Sequence, residues 1–301
     1  MLLLVGDNAF HGISHLSQER ARSRGSSVTA PEYAAGLVRG CVEGGAEGFL
    51  FSVSETTLSI LRRLRREGIA AGLGLYPIVP YAYEYVSLAT RAGVMGIGRK
   101  VLAQSMSSSG LGTVAKSLRG ALSSNPVALL EAYLGFELSR VRAAVEGQVV
   151  PRSLLLHEMV TDMALAFGMD WLFRGYVRFL REQDVLPGFE TRNFALLVRR
   201  LTEWGLAYEG LVVAAPFNRV GFQMSPSREA CERALTGVKG LQVVAMSVLA
   251  AGYLGLGEAL EYVASLPGLA GVAVGVSKPE QALETFAALR ARFQAPMAES
   301  K

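Results

Sequence analysis

Short, continuous apolar runs alternate along this chain with stretches of helical period. The runs fall at Leu2–Val5, Gly48–Val53, Ile69–Tyr76, Ser153–Leu156, Val185–Phe189, Gly210–Ala214, Leu241–Met246 and Gly271–Val274. Within them hydrophobic residues follow one another instead of alternating with polar ones, as in parallel strands covered on both faces. Between them, helical spacing is read over Ala30–Glu43, Thr57–Glu67, Trp171–Glu182, Asn193–Trp204, Ser227–Leu235 and Pro279–Phe293. Thr29 is expected to cap the first of these helices, with Pro31 in its first turn. Eight strands alternating with helices in 301 residues predict an α/β fold, a (β/α)8 barrel forming one domain over residues 1–301. A doubly wound open sheet is the runner-up. The Gly-x-Gly-x-x-Gly turn of that fold does not follow the first strand, and Gly96-Ile97-Gly98 follows no clear strand.

The rhythm breaks once, where about 75 residues separate the third and fourth runs although one helix would suffice. Met106–Gly112 reads as a Ser/Gly-rich loop, and Thr113–Leu122 and Pro126–Val145 as helices. Residues 94–147 are therefore read as an insertion in the β3–β4 connection. It follows a strand's carboxyl end, so it is expected either as a lid over the barrel mouth or as a packing or subunit-contact element.

Composition narrows the function classes. Apolar types make up 50% of the chain and charged types 19%, too apolar for a disordered protein. The net charge of +4 comes from scattered arginines. Apart from Arg62, Arg63, Arg65 and Arg66 they form no stripe and have few aromatics among them, so no nucleic-acid partner is expected. Two distant cysteines imply no disulfide framework, and with no signal-peptide pattern at the start a cytoplasmic location is expected. The uncharged run 240–257 holds four glycines and is read as a strand and loop, not a membrane span. The expected partner is a small, anionic substrate; a homo-oligomer remains open.

From about Leu154 onward the chain resembles the aldo/keto reductase superfamily. Val272-Ala-Val-Gly-Val-Ser-Lys-Pro-Glu-Gln281, followed by Glu284-Thr285, is similar to that family's last strand and nucleotide-binding helix. Val243–Leu254, which contains Ser247, is similar to its seventh strand and loop. Gly188–Phe194, with Asn193, is similar to its fifth, and Ala214–Asn218 stands where the family has its nicotinamide-stacking aromatic residue. Gly6–Gly12 and Phe49–Thr57 resemble it more loosely. The resemblance implies an oxidoreductase that binds NADP(H). Phe217 would lie under the nicotinamide, Lys278 near the adenosine 2′-phosphate and Glu284 near adenine, with Asn193, Ser247, Gly275, Ser277 and Gln281 as further cofactor contacts. Of the family's Asp, Tyr, Lys and His only His157 has a match. Ser52 stands at the Asp position, Thr57 near the Tyr, and Tyr76 and Pro77 at the Lys.

The residues themselves suggest a second chemistry. His157 closes the fourth strand with Glu158 next, while Asp7, Asn8, His11 and His15 follow the first. Barrel sites are built at strand carboxyl ends, so Asp7, His11, His157, Glu158 and Glu55 are candidate acid–base residues. Asn8, Tyr76 and Arg192 are candidate substrate contacts, Arg192 meeting an anion or closing a rim ion pair with Glu190 or Glu158. Tyr81, Tyr83 and Tyr85 cluster after the third strand. This set describes a cofactor-free or metal-dependent lyase, hydrolase or isomerase, and in the metal form Asp7, His11 and His157 are the ligand set. At the last βα unit, Gly275, Ser277 and Lys278 precede a helix N-terminus suited to phosphate. A non-catalytic barrel acting by binding is the third alternative.

Overall fold

In the computed structural model, residues 1–11, 30–81 and 126–293 are described. Eight parallel strands pair in sequence order and close: β1 Leu2–Gly6, β2 Gly48–Ser52, β3 Gly74–Val79, β4 Ser153–Leu156, β5 Leu186–Glu190, β6 Val212–Pro216, β7 Gln242–Met246 and β8 Leu269–Gly275. Strand β8 returns to β1 with Leu2 opposite Gly271 and Gly6 opposite Gly275, so no edge is left and the open-sheet alternative falls. The helices around it are α1 Pro31–Glu43, α2 Glu55–Arg66, α3 Pro126–Ala144, α4 Glu158–Ala166, α5 Asp170–Glu182, α6 Phe194–Glu203, α7 Arg228–Gly237, α8 Leu256–Ser265 and α9 Pro279–Phe293.

The two-residue period of a strand divides its side chains between two cores. Leu4, Leu50, Ile78, Leu155, Val244 and Ala273 fill the barrel axis. Leu3, Val5, Phe49, Phe51, Phe189 and Val213 face the helices. The axis is thus a packed apolar plug, and burying each large side chain in it contributes on the order of 1.5–3 kcal/mol. Polar chemistry is left to the rims.

Three sequence readings shift. The third strand was expected at Ile69–Tyr76 but runs from Gly74 through Pro77 to Val79; Ala70–Gly72 forms a 3-10 turn instead. Proline usually ends a strand, yet here Pro77 sits in register with Phe51 inside the sheet. Tyr76 is therefore an axial residue. Its ring closes on Gly48 and Gly74, at the starts of β2 and β3, away from the carboxyl-terminal mouth. The second helix starts at Glu55, two residues early, because Ser54 accepts the Thr57 N–H while the Thr57 hydroxyl accepts the Ser54 N–H. Thr29, expected as the cap of α1, lies outside the described residues, and Ala30 precedes the helix with no side-chain cap.

The 126–147 part of the expected insertion contains α3, which packs against α2, α5 and β3 and serves as the outer helix of the third βα unit. Residues 94–125 lie outside the described residues. No helix among the described residues is long and apolar enough to cross a membrane. The uncharged run 240–257 resolves into β7, a 3-10 turn at Ala250–Gly252 and the start of α8. The four-arginine cluster ends α2 and is partly neutralised there, with Arg63 on Glu67, Arg65 on Glu146 and Arg62 near Glu55.

A Cβ at Gly48 would stand 2.5 Å from Leu4 Cδ2 and 2.8 Å from the Gly74 carbonyl. Gly48→Ala is expected to lower the stability measured by urea denaturation by about 1–3 kcal/mol. Gly257→Ala, on α8 with nothing within 4 Å, is expected to leave it unchanged or raise it by up to about 1 kcal/mol.

Candidate active site

The carboxyl ends of β1, β3, β4 and β5 carry the titratable side chains of the mouth. Past β1 the chain turns through a 3-10 helix, Asn8–His11, that folds His11 back onto Asp7. Asp7 Oδ2 accepts the Ser52 N–H at 2.7 Å and lies 2.9 Å from His11 Nε2. Both side chains are 5% exposed. The carboxylate beside Ser52 thus comes from β1, across the sheet, and not from β2 itself. On the far side of the imidazole, Tyr81 Oη stands 3.4 Å from His11 Nδ1, with the two rings 4.9 Å apart.

The second half of the site is made by β4 and β5. Leu156 pairs with Phe189, which sets His157 beside Glu190 one residue on. His157 caps α4, its Nδ1 accepting the Met159 N–H at 3.2 Å, so the neutral ring carries its proton on Nε2. Burial holds this histidine below its ordinary pKa; the carboxylates of Glu158, Asp7 and Asp162 pull upward against burial and Arg192. Glu190 continues the inward parity of Leu186 and Gly188, and Oε2 accepts the Glu158 N–H at 3.2 Å. Burial, with the charges of Glu158 and Asp7 adding to it, pushes the Glu190 carboxyl up to about 8, although part of the side chain stays open to the mouth.

Around this pair runs a fixed frame. Glu158 grips Arg192 through both carboxylate oxygens, Arg192 Nε lying 2.7 Å from Oε2, which realises the rim ion pair. Asp162, one helical turn along α4, accepts the Thr191 hydroxyl and the Arg192 N–H at 3.1 Å. Burial raises the Asp162 carboxyl and those two hydrogen bonds partly offset it. The β5–α6 turn that presents Arg192 is therefore tied to α4 at three points.

The other sequence candidates are distributed differently. Glu55 is the first residue of α2, exposed, and pairs with Arg140 at 2.9 Å on the outer wall. Phe217 is 0% exposed, edge-on to Phe194 in the outer core, because its parity from β6 points to the helices; it offers no face to a ligand. Met246, half-buried at the end of β7 and packed on the axial plug, is the apolar side chain turned inward at that rim. Asn193 spends its side-chain oxygen capping α6 on the Leu196 N–H. Ser247 begins a loop in which Ser247, Ala250 and Ala251 all have positive φ, unusual for residues with side chains.

At β8, Gly275 is exposed, and a Cβ there would meet only the Gly6 carbonyl, at 3.6 Å. Lys278 precedes α9, and Lys278, Gln281 and Glu284 share one exposed face of it, while the Ser277 carbonyl accepts the Tyr33 hydroxyl at 3.4 Å. Asn8 is exposed beside β1. His15, Tyr83 and Tyr85 lie outside the described residues. Among the described residues no three His, Cys, Asp or Glu side chains are grouped to hold a metal, so Asp7, His11 and His157 are not brought together as the expected ligand set.

Sequence reasoning passed over Glu190 and Asp162 as site residues. Glu190 had a signal, being a carboxylate closing an apolar strand run two residues after Gly188. Asp162 had none beyond its helical turn from Glu158.

Because the Glu190 carboxyl is held protonated in the fold but ionises near 4.5 when unfolded, its contribution to stability is whole below pH 4.5 and lost as the pH rises through about 8. Glu190→Gln carries no such loss. Its urea midpoint is expected to gain on the wild type as the pH rises across that window, and two parallel curves would show that the carboxyl is not held protonated.

No family model matches the sequence, and no curated protein matches it. Solved structures do match in fold. A protein of Pseudomonas aeruginosa provisionally described as an aldo-keto reductase superposes with a TM-score of 0.58 at 13% identity, covering 96% of this chain and 90% of its own. An aldo-keto reductase from Bacillus halodurans, in its holo form, gives 0.53 at 11% identity, covering 98% and 88%. Dispersin B gives 0.52 at 9%, covering 97% and 96%. The chain thus shares with these proteins, at low sequence identity, the fold of a closed, all-parallel (β/α)8 barrel.

Proposed function

We propose that this protein is an enzyme that performs acid–base chemistry on a small polar molecule at the carboxyl-terminal mouth of its barrel. The observation that carries the reading is the gathering of Asp7, His11, His157 and Glu190 from three strand ends over an axis that is otherwise apolar, with the charge of Asp7 felt at both His157 and Glu190. In this reading the neutral His157 offers its Nε2–H to a substrate oxygen. Glu190, still protonated at neutral pH, supplies a proton as negative charge develops there. Asp7 and His11 take up a proton from the opposite step. Arg192, 43% exposed even when paired with Glu158, is the cation available to an anionic substituent. The reaction class is a proton-transfer one, that of an isomerase, lyase or hydrolase.

The test is incubation in D2O with a panel of small hydroxy acids, oxo acids and sugar phosphates, followed by proton NMR for C–H exchange or product. His157→Gln and Glu190→Gln are each expected to cut turnover by about 10²–10⁴ with an unchanged circular dichroism spectrum. Turnover indifferent to both substitutions would overturn the reading.

A second reading, carbonyl reduction with NADP(H), is favoured by the open backbone at Gly275 next to the N-terminus of α9. The residues fit the group at its phosphate end: Gly275 leaves room, Ser277 and Lys278 lead into the helix, and Gln281 and Glu284 continue the same face. At the ring end the fit is to Met246 and not to Phe217, which is sealed in the outer core. When bound, the nucleotide supplies a hydride; His157 would then orient the carbonyl oxygen. Titration followed by NADPH fluorescence separates the two readings. Under the reductase reading, Gly275→Val is expected to weaken binding about tenfold or more without lowering the thermal midpoint, since the valine intrudes on the ligand and not on the fold. Absence of NADPH binding at millimolar concentration removes this reading and leaves the first untouched.

A further inference from the structure

We infer that Tyr81 is a catalytic residue of this site, its phenolic hydroxyl activated for proton transfer by His11 with Asp7 as the positioning carboxylate. The inference rests on the acid–base reading of the mouth and names the group that meets the substrate on the β1–β3 side.

Asp7 sets the order of the protons. A carboxylate only accepts, and this one already accepts the Ser52 N–H at 2.7 Å. The hydrogen between it and His11, 2.9 Å away, therefore belongs to His11 Nε2. That fixes the tautomer: in the neutral ring Nδ1 carries the lone pair. Tyr81 Oη, 3.4 Å from Nδ1, is then the donor, the two rings lying 4.9 Å apart at an interplanar angle of 30°. Asp7 and His11 are almost closed to water, so their coupling is little screened.

Tyr176 shows the structural use of a tyrosine in the same fold. It is fully buried, and its hydroxyl is spent on the Leu154 and Gly188 carbonyls, groups that do not take up a proton. Tyr81 is aimed instead at a nitrogen that does. It is only half-buried and leaves β3 at its carboxyl end, on the rim where the charge of Asp7 reaches His157 and Glu190. In the forward step a substrate X–H gives its proton to Tyr81 Oη while the phenolic proton moves to His11 Nδ1. The imidazolium so formed keeps its Nε2–H on the Asp7 carboxylate, and the reverse step returns the proton.

The test does not need the substrate. Full-length protein is treated with N-acetylimidazole, which acylates phenolic oxygen, and each modified tyrosine is quantified by mass spectrometry, with the 74% exposed Tyr253 as internal reference. Tyr81 is expected to react about tenfold faster than Tyr253 in the wild type, because a base sits on its proton. The advantage is expected to vanish in His11→Gln and in Asp7→Asn, and to return when imidazole is added to His11→Ala. A wild-type Tyr81 no faster than Tyr253, or a rate unchanged in a folded His11→Gln, overturns the inference; the wild-type ratio decides it even if the His11 variants do not fold. Fast, His11-dependent acylation with no turnover in the D2O panel would sink the proposed function and leave the relay standing, and turnover without that acylation would sink the relay alone.

Discussion

Closure of the sheet is the constraint from which the rest of this molecule follows. Once β8 pairs with β1, every strand has one set of side chains committed to a narrow axis and the other to the helices. The axis has room for little beyond its own packing, and Leu4, Leu50, Tyr76, Leu155 and Val244 take it. A polar side chain is tolerated only where a strand runs out, so the same closure that excludes chemistry from the middle collects it at the carboxyl-terminal rim. There, Asp7, His157, Glu190 and Arg192 come within electrostatic reach of one another despite lying up to 185 positions apart in the chain.

The rim is crowded with acids, and the way it tolerates them divides their roles. Asp7 accepts a backbone N–H and faces an imidazole. Glu158 is neutralised by Arg192, and Asp162 is absorbed into the turn that presents Arg192. Glu190 is left with one backbone donor, two negative neighbours and little water, so the proton stays on. A set of carboxyls with such unequal surroundings at one strand-end rim is the usual physical basis of paired acid and base roles.

The likeness to aldo-keto reductases is one of backbone, and the residues around the mouth are arranged in their own way. The carboxylate beside Ser52 comes from β1, the aromatic after β6 is turned to the outer core, and the asparagine after β5 is a helix cap. One barrel carries many chemistries because the rim residues vary while the plug below keeps the geometry. Here the frame of Asp162, Thr191 and Arg192 holds the β5–α6 turn independently of any ligand.

The order of strands and helices was legible in the chain because burial on both faces writes itself as uninterrupted apolar runs, and seven of those eight runs overlap their strands closely. The exception, β3, was misplaced because Ile69–Leu73 is as apolar as a strand while serving the outer core from a turn, and because Pro77 reads as a stop. The histidine closing β4 was legible for the same reason as the strand itself. What the sequence does not contain is the phase. Residues of alternate parity look alike along a buried run, and only closure decides which parity meets the axis; it turned Glu190 inward, Phe217 outward and Tyr76 toward the floor. Protonation was likewise beyond reach, since the state of Glu190 depends on Asp7 and Glu158, which are brought beside it by the fold and not by the chain. The amino-acid sequence by itself determined the architecture and which residues end its strands; the tertiary structure decided which of them face one another and how dry that place is, because direction and desolvation are properties of the closed barrel.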